Sequence, residues 1–98
     1  MVKKQIVKNL NMLFNDEYGS KIERDLINAR DLLEHDEWGE ALDIFCCQLY
    51  EYSIPISQDT FSLIQETWRL MDVDLHFYEY LTELIILNNE QSENYSKA

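Results

Sequence analysis

The side chains of this chain that could carry acid–base or metal chemistry include two histidines, His35 and His76. His35 follows Asp31 by four residues, a spacing that places a carboxylate and an imidazole on one face of a helix. His76 shares an outward helical face with Glu79 and Glu83, which could ligate a metal ion. Pairs of this kind are common on solvated helix surfaces, and the helix dipole also favours a histidine near a C-terminus. We therefore expect neither histidine to be catalytic and predict no metal site.

The two cysteines, Cys46 and Cys47, are adjacent. Neighbouring side chains on a helix point about 100° apart, so these two cannot easily form a disulfide with each other. Cys46 flanks the apolar face and is predicted to be buried. Cys47 points outward, with Asp43 and Glu51 one turn away, and their charges disfavour a reactive thiolate. Because the chain also lacks a CxxC pair, a glycine-rich phosphate loop and a GxSxG motif, we predict that it is not an enzyme and needs no cofactor.

The composition is that of one small helical domain. Of the 98 residues, 46% are hydrophobic and 12% are aromatic, which suits a single core. Two glycines and one proline are too few for the frequent turns of an all-β fold. No apolar run approaches the length of a membrane span, and the basic start of the chain lacks the continuous apolar segment of a signal peptide. We expect a cytoplasmic protein with reduced thiols.

Apolar residues recur at helical spacing along most of the chain, which predicts an all-α fold. The expected architecture is a compact antiparallel array of about five helices in residues 1–88. Residues 89–98 are polar and are predicted to form a disordered tail. The first four helices are placed at residues 2–14, 20–35, 37–52 and 57–71, and the fifth begins at residue 74.

Each predicted helix has an apolar face that specifies part of the core. In the third helix this face consists of Trp38, Ala41, Leu42, Phe45, Leu49 and Tyr52. In the fourth it consists of Phe61, Ile64, Trp68 and Met71, and in the fifth of Phe77, Tyr78, Leu81, Leu84 and Ile85. The helix starts are assigned to capping side chains, namely Ser20 with Glu23, Ser57 or Asp59, and Asp74.

The chain is strongly acidic, with 19 Asp and Glu against 8 Lys and Arg and a formal net charge of −11. This charge repels the phosphates of nucleic acid and of anionic membranes, so we predict no direct binding to either. It attracts basic proteins and speeds encounter with them. Between residues 31 and 68 there is no Lys or Arg. Nine acids fall in this window: Asp31, Glu34, Asp36, Glu37, Glu40, Asp43, Glu51, Asp59 and Glu66.

The acids of the third helix surround three side chains that lie off its apolar face, Ile44, Cys47 and Tyr50. An acidic surface with aromatic or aliphatic anchors is the composition expected of a binding site for a basic protein. The predicted contact residues are Glu37, Glu40, Asp43, Tyr50 and Glu51. The alternative is a solvated face on which a neighbouring helix covers Ile44.

Two runs of the third helix and its exit carry a resemblance to a known family. Residues 37–44 read EWGEALDI, residues 48–55 read QLYEYSIP, and the pattern L-M-x-x-D follows at 70–74. This stretch resembles small bacterial immunity proteins of the MafI type, related to the immunity proteins of contact-dependent growth inhibition. The resemblance implies a cytoplasmic protein that binds and neutralises the C-terminal domain of a cognate toxin, often a basic nuclease, in a 1:1 complex. It also implies structural roles for Tyr52, packed in the hairpin, and Pro55, which sets the turn.

Two other functions fit the same residues. The second and third helices, with Trp38, Ala41 and Phe45 after the turn, also resemble a tetratricopeptide-type hairpin, so an acidic scaffold that binds peptides is one alternative. The other is a nucleic-acid mimic that occupies a DNA-binding protein. The contact residues above follow from charge and helical geometry and are not carried over from any family.

Overall fold

A computed structural model describes residues 2–14 and 22–87, and these residues contain helices but no β-strand. Two single-turn 3₁₀ helices, Leu75–Phe77 and Glu79–Leu81, follow the long helices, and residues 82–87 are again α-helical (α5). The predicted all-α array of five helices is therefore confirmed. The capping residue Ser20 and the predicted tail lie outside the described residues. The long helices are α1 (Val2–Phe14), α2 (Glu23–Glu34), α3 (Trp38–Glu51) and α4 (Gln58–Leu70).

One hydrophobic core joins all of the helices. Only residues 35–37 connect α2 to α3, so the two helices pack as an antiparallel hairpin, and α1 lies against α3 and α4. The rings of Phe14 and Phe45 lie 5.4 Å apart between centroids, and the Arg30 guanidinium donates to the Phe14 carbonyl at 2.9 Å. Burial of a large apolar side chain such as Phe14 or Phe45 stabilises the fold by about 1.5–3 kcal/mol. The core thus holds α1 across the hairpin.

The turns that end α2, α3 and α4 share one backbone geometry. Asp36, Ser53 and Asp72 follow the three helices with φ angles of 59°, 50° and 60°, in the left-handed region. In each turn the next N–H reaches back to a carbonyl of the last helical turn, as from Ile54 to Leu49 at 2.9 Å. This is the Schellman motif, which usually carries glycine at the left-handed position. The chain places Asp or Ser there instead, at a conformational cost of roughly 1–2 kcal/mol each.

The two ends of the α3–α4 connection test two sequence predictions. Ser57 caps α4, because its hydroxyl accepts a hydrogen bond from the Thr60 N–H at 3.1 Å. The prediction that Tyr52 belongs to the core is wrong, since its side chain is 59% exposed. The chain leaves the helix at Tyr52, and the left-handed turn at Ser53 directs Ile54 into the core in its place.

The segment after α4 also differs from the prediction of a fifth helix that begins at Asp74. Asp74 precedes a 3₁₀ turn and makes no side-chain capping bond. In a 3₁₀ helix every third residue lies on the same side. Tyr78 and Leu81, three residues apart, are accordingly buried, whereas Phe77, predicted to lie in the core, is 74% exposed. The tighter winding therefore releases one aromatic ring from the core to the surface.

Candidate protein-binding surface

All nine acids of the window between residues 31 and 68 are exposed. Within residues 2–14 and 22–87, Asp36 pairs with Lys3 at 3.9 Å and Asp31 lies 3.8 Å from His35, and the other seven have no cationic partner. Ile44 is half-buried and packs against the core, as the solvated-face alternative expects. The surface therefore carries acids whose charge the described residues leave uncompensated.

The five predicted contact residues are all exposed on α3 and its flanks. At 100° and 1.5 Å per residue they occupy a sector of about 140° and a length of about 20 Å. Glu37 and Glu51 mark the two ends of this length, and Glu40 and Asp43 lie between them. They form one face of the helix, which we call the α3 acidic face, but they do not converge on one point.

A groove opens beside the first half of the α3 acidic face, and we call it the Phe77 groove. It has a volume of about 530 Å³ and lies between the start of α3, the end of α4 and the first 3₁₀ helix. Its apolar part is formed by Trp68, Val73 and Phe77, with Gly39 in the wall. Its charged residues are Glu40, Asp43, Asp72 and Asp74. Of the predicted contacts, the structure brings Glu40 and Asp43 together here.

Tyr50 belongs to a second cluster, in which α3 meets the C-terminal segment. Its hydroxyl donates to the Glu83 carboxylate at 3.0 Å, and its ring meets that of Tyr80 edge-on at 5.0 Å. The hydrogen bond to Glu83 raises the pKa of the Tyr50 hydroxyl. Cys47 lies between Asp43, at 3.6 Å, and the Tyr80 hydroxyl, at 3.9 Å. Tyr50 is therefore held in a fixed position at the edge of the acidic face.

The two histidines considered for chemistry lie on separate elements, each beside one carboxylate. His35 and His76 are exposed, and His76 lies 3.4 Å from Glu79. The carbonyl of Asp31, with its carboxylate, raises the pKa of His35. No group of three or more potential metal ligands is found among the described residues.

Both cysteines are free, Cys46 in the core and Cys47 at the surface, as predicted. Burial raises the pKa of the Cys46 thiol. Burial also raises the pKa of Cys47, and the Asp43 charge adds to the effect.

Sequence reasoning missed Asp72, Asp74 and Phe77. The two acids lie beyond Arg69, which ends the window free of basic residues, and an α-helical period places Phe77 in the core. One signal was present, since two acids and an aromatic residue fall within six positions directly after a helix. A three-residue period through Tyr78 and Leu81 would have placed Phe77 outside.

Comparison of the chain with protein-family models, with curated proteins and with solved structures found no match in any of the three. Among residues 2–14 and 22–87, no helix has both the length and the apolar character needed to span a membrane. The site is therefore interpreted from its own geometry and charge. The resemblance of residues 37–55 to immunity proteins stays a prediction.

Proposed function

We propose that this protein is an immunity protein, which binds a basic toxin domain one-to-one in the cytoplasm and neutralises it. The observation that carries the proposal is the exposed α3 acidic face, whose carboxylates have no cationic partner among residues 2–14 and 22–87. The resemblance of the same helix to MafI-type immunity proteins supplies the class of partner. A toxin nuclease is basic where it binds phosphates, and the acids of this protein would occupy those positions or a nearby exosite.

In such a complex, charged residues raise the association rate, whereas buried aromatic or aliphatic residues provide most of the affinity. The charge of −11 raises the rate of encounter with a basic domain by 10- to 10³-fold at low salt. Exposed ion pairs contribute only about 0–1 kcal/mol each, so steering alone does not give tight binding. Tight binding needs aromatic or aliphatic groups buried at the interface. Tyr50, fixed by Glu83 and Tyr80, is one such group at the edge of the face.

Calorimetric titration with the toxin domain encoded directly upstream, at low and high salt, tests the proposal. We expect a 1:1 complex that weakens as salt rises, because screening shortens the range of the charge. Complete absence of binding at both salt concentrations would remove the immunity function. Micromolar binding of short peptides would then favour the scaffold alternative, and inhibition of many unrelated DNA-binding proteins would favour the mimic.

A charge reversal tests the surface itself. Glu40→Lys, Asp43→Lys and Glu51→Lys together change the net charge from −11 to about −5 and place cations on the α3 acidic face. We expect toxin binding to weaken by at least about 100-fold, since like charges across an interface cost several kcal/mol. The matched control reverses Glu34, Glu66 and Glu79, three exposed acids on other elements. Equal losses in both triple variants would show an effect of net charge and not of this face.

A further inference from the structure

The exposure of Phe77 is the least expected feature of the described surface. A phenylalanine that is 74% exposed leaves most of an apolar ring in water, although Tyr78 beside it is buried. The ring borders the Phe77 groove, which Val73 and Trp68 also line. Isolated exposed apolar residues are ordinary, but an aromatic ring in the wall of a groove is the usual form of an interaction anchor.

The charged residues that line the Phe77 groove are all acidic. Glu40, Asp43, Asp72 and Asp74 all line the groove, and within the described residues none of them pairs with a basic side chain. An anionic or neutral occupant would leave four carboxylates uncompensated at close range. A second copy of this chain, with its own charge of −11, would be repelled. The groove therefore favours a cationic occupant with an apolar or planar surface.

The backbone that carries two of these acids is fixed. Asp72 is the left-handed residue of the turn that ends α4, and the Val73 N–H donates to the Trp68 carbonyl at 2.9 Å. These bonds satisfy the end of the helix and hold Asp72 and Asp74 on either side of Val73. The backbone beneath the two carboxylates therefore needs little reorganisation on binding, which lowers the entropic cost of recognition.

We propose that the Phe77 groove docks an arginine side chain from an exposed segment of the protein partner. The guanidinium stacks on the Phe77 ring, and the carboxylates of Asp72, Asp74 and Glu40 accept its N–H groups. Arginine fits better than lysine because it is planar, stacks on aromatic faces and offers five donors in a fixed geometry. The identity of the partner as a basic toxin domain rests on the proposed function, but the chemistry of the groove does not.

Blocked pentapeptides with a central arginine flanked by leucines test the groove on the full-length protein. The matched peptides carry lysine or citrulline, which has the shape of arginine without its charge. Titration followed by ¹H–¹⁵N NMR should shift the Val73 amide and the Trp68 indole signals with the arginine peptide. We expect affinity to fall by about tenfold or more with citrulline and by a smaller factor with lysine. Equal affinity for arginine and citrulline peptides would overturn the proposal.

Variants of the groove give the second readout. Phe77→Ala and the pair Asp72→Asn with Asp74→Asn should each weaken the arginine peptide by about tenfold. Gly39→Leu should block the groove, because a Cβ at Gly39 meets no heavy atom within 4 Å and the fold can accept it. The control Glu34→Gln removes an exposed acid on α2 that does not line the Phe77 groove and should leave affinity within about twofold.

The same variants separate this inference from the proposed function. Tight toxin binding that none of the groove variants weakens would overturn the groove and leave the immunity function intact. Arginine-peptide binding that the variants abolish, together with no binding of the toxin domain, would support the groove and reject the immunity function. Circular dichroism melts that match the wild type would show that the variants remain folded.

Discussion

Ser53 offers the clearest test of how the helices of this protein end. It follows α3 with a φ of 50°, in the left-handed region, and its side chain is exposed. Its N–H donates to the Tyr50 carbonyl at 3.0 Å and the next N–H donates to Leu49 at 2.9 Å, so the turn is held by its backbone. Ser53→Gly should keep both bonds and relieve the strain.

The size of the effect follows from two opposing terms. A side chain at a left-handed position costs roughly 1–2 kcal/mol relative to glycine. Glycine loses more freedom on folding, which costs about 0.5–1 kcal/mol. The two ranges leave a net gain in the free energy of unfolding of about 0–1.5 kcal/mol, centred near 0.75 kcal/mol, and this centre corresponds to a rise in Tm of about 3–6 °C for a domain of this size.

Urea unfolding followed by circular dichroism measures this gain as a higher midpoint concentration, with an unchanged dependence of the free energy of unfolding on urea concentration. Ser53→Ala is the first control, since alanine keeps a Cβ at the strained position and should bring no gain. Ser62→Gly is the second, because Ser62 lies inside α4, where glycine costs about 0.5 kcal/mol more than serine. A Ser53→Gly protein no more stable than Ser53→Ala would refute the reasoning that strain is stored in this turn.

Two further predictions concern titratable groups. Raised pKa values at both thiols predict that iodoacetamide at pH 8 modifies native Cys47 more slowly than a free cysteine and does not modify Cys46, which mass spectrometry of the digested protein can follow. The His35 pKa, raised by the Asp31 carbonyl and then by its carboxylate, should exceed 6.5 in an NMR titration and return only part of the way in Asp31→Asn. The contribution of protonated His35 to stability is fully present below the pKa of histidine in the unfolded chain and is lost as pH rises through the folded pKa. A measured His35 pKa at or below 6.5 would contradict the pairing with Asp31.

The α2–α3 hairpin could be predicted because its local and global signals agree. The spacing of Ala41, Leu42, Phe45 and Leu49 specifies one face, and all four are buried. The short turn after α2 allows only an antiparallel return. Ser57 was one of two candidate caps, and the structure selects it through a hydrogen bond to Thr60. At these positions backbone propensity, the spacing of apolar residues and the length of the connections between helices all predict the same arrangement.

The Phe77 groove could not be predicted, because it depends on a change of helical period. Residues 75–81 carry apolar side chains that fit an α-helix and a 3₁₀ helix almost equally well. The choice is made by packing, since Tyr78 stacks on Trp68 at 6.3 Å and Leu81 fills the core. Those contacts set the register of the segment and leave Phe77 outside. The exposure of Tyr52 could not be predicted either, because the turn that ends α3 has serine and not glycine at its left-handed position.

The negative charge of the protein and the Phe77 groove act on a partner at different distances. At physiological salt the Debye length is about 8 Å, so the charge of −11 guides a partner only during the last approach. Beyond that point, specificity requires groups whose positions are already fixed. The groove meets this requirement through the turn after α4, which holds Asp72 at the cost of a left-handed backbone. A glycine at position 72 would give a more stable turn but would remove one carboxylate from the groove. The strained backbone at Asp72 therefore accompanies a negative charge that the groove presents to a partner.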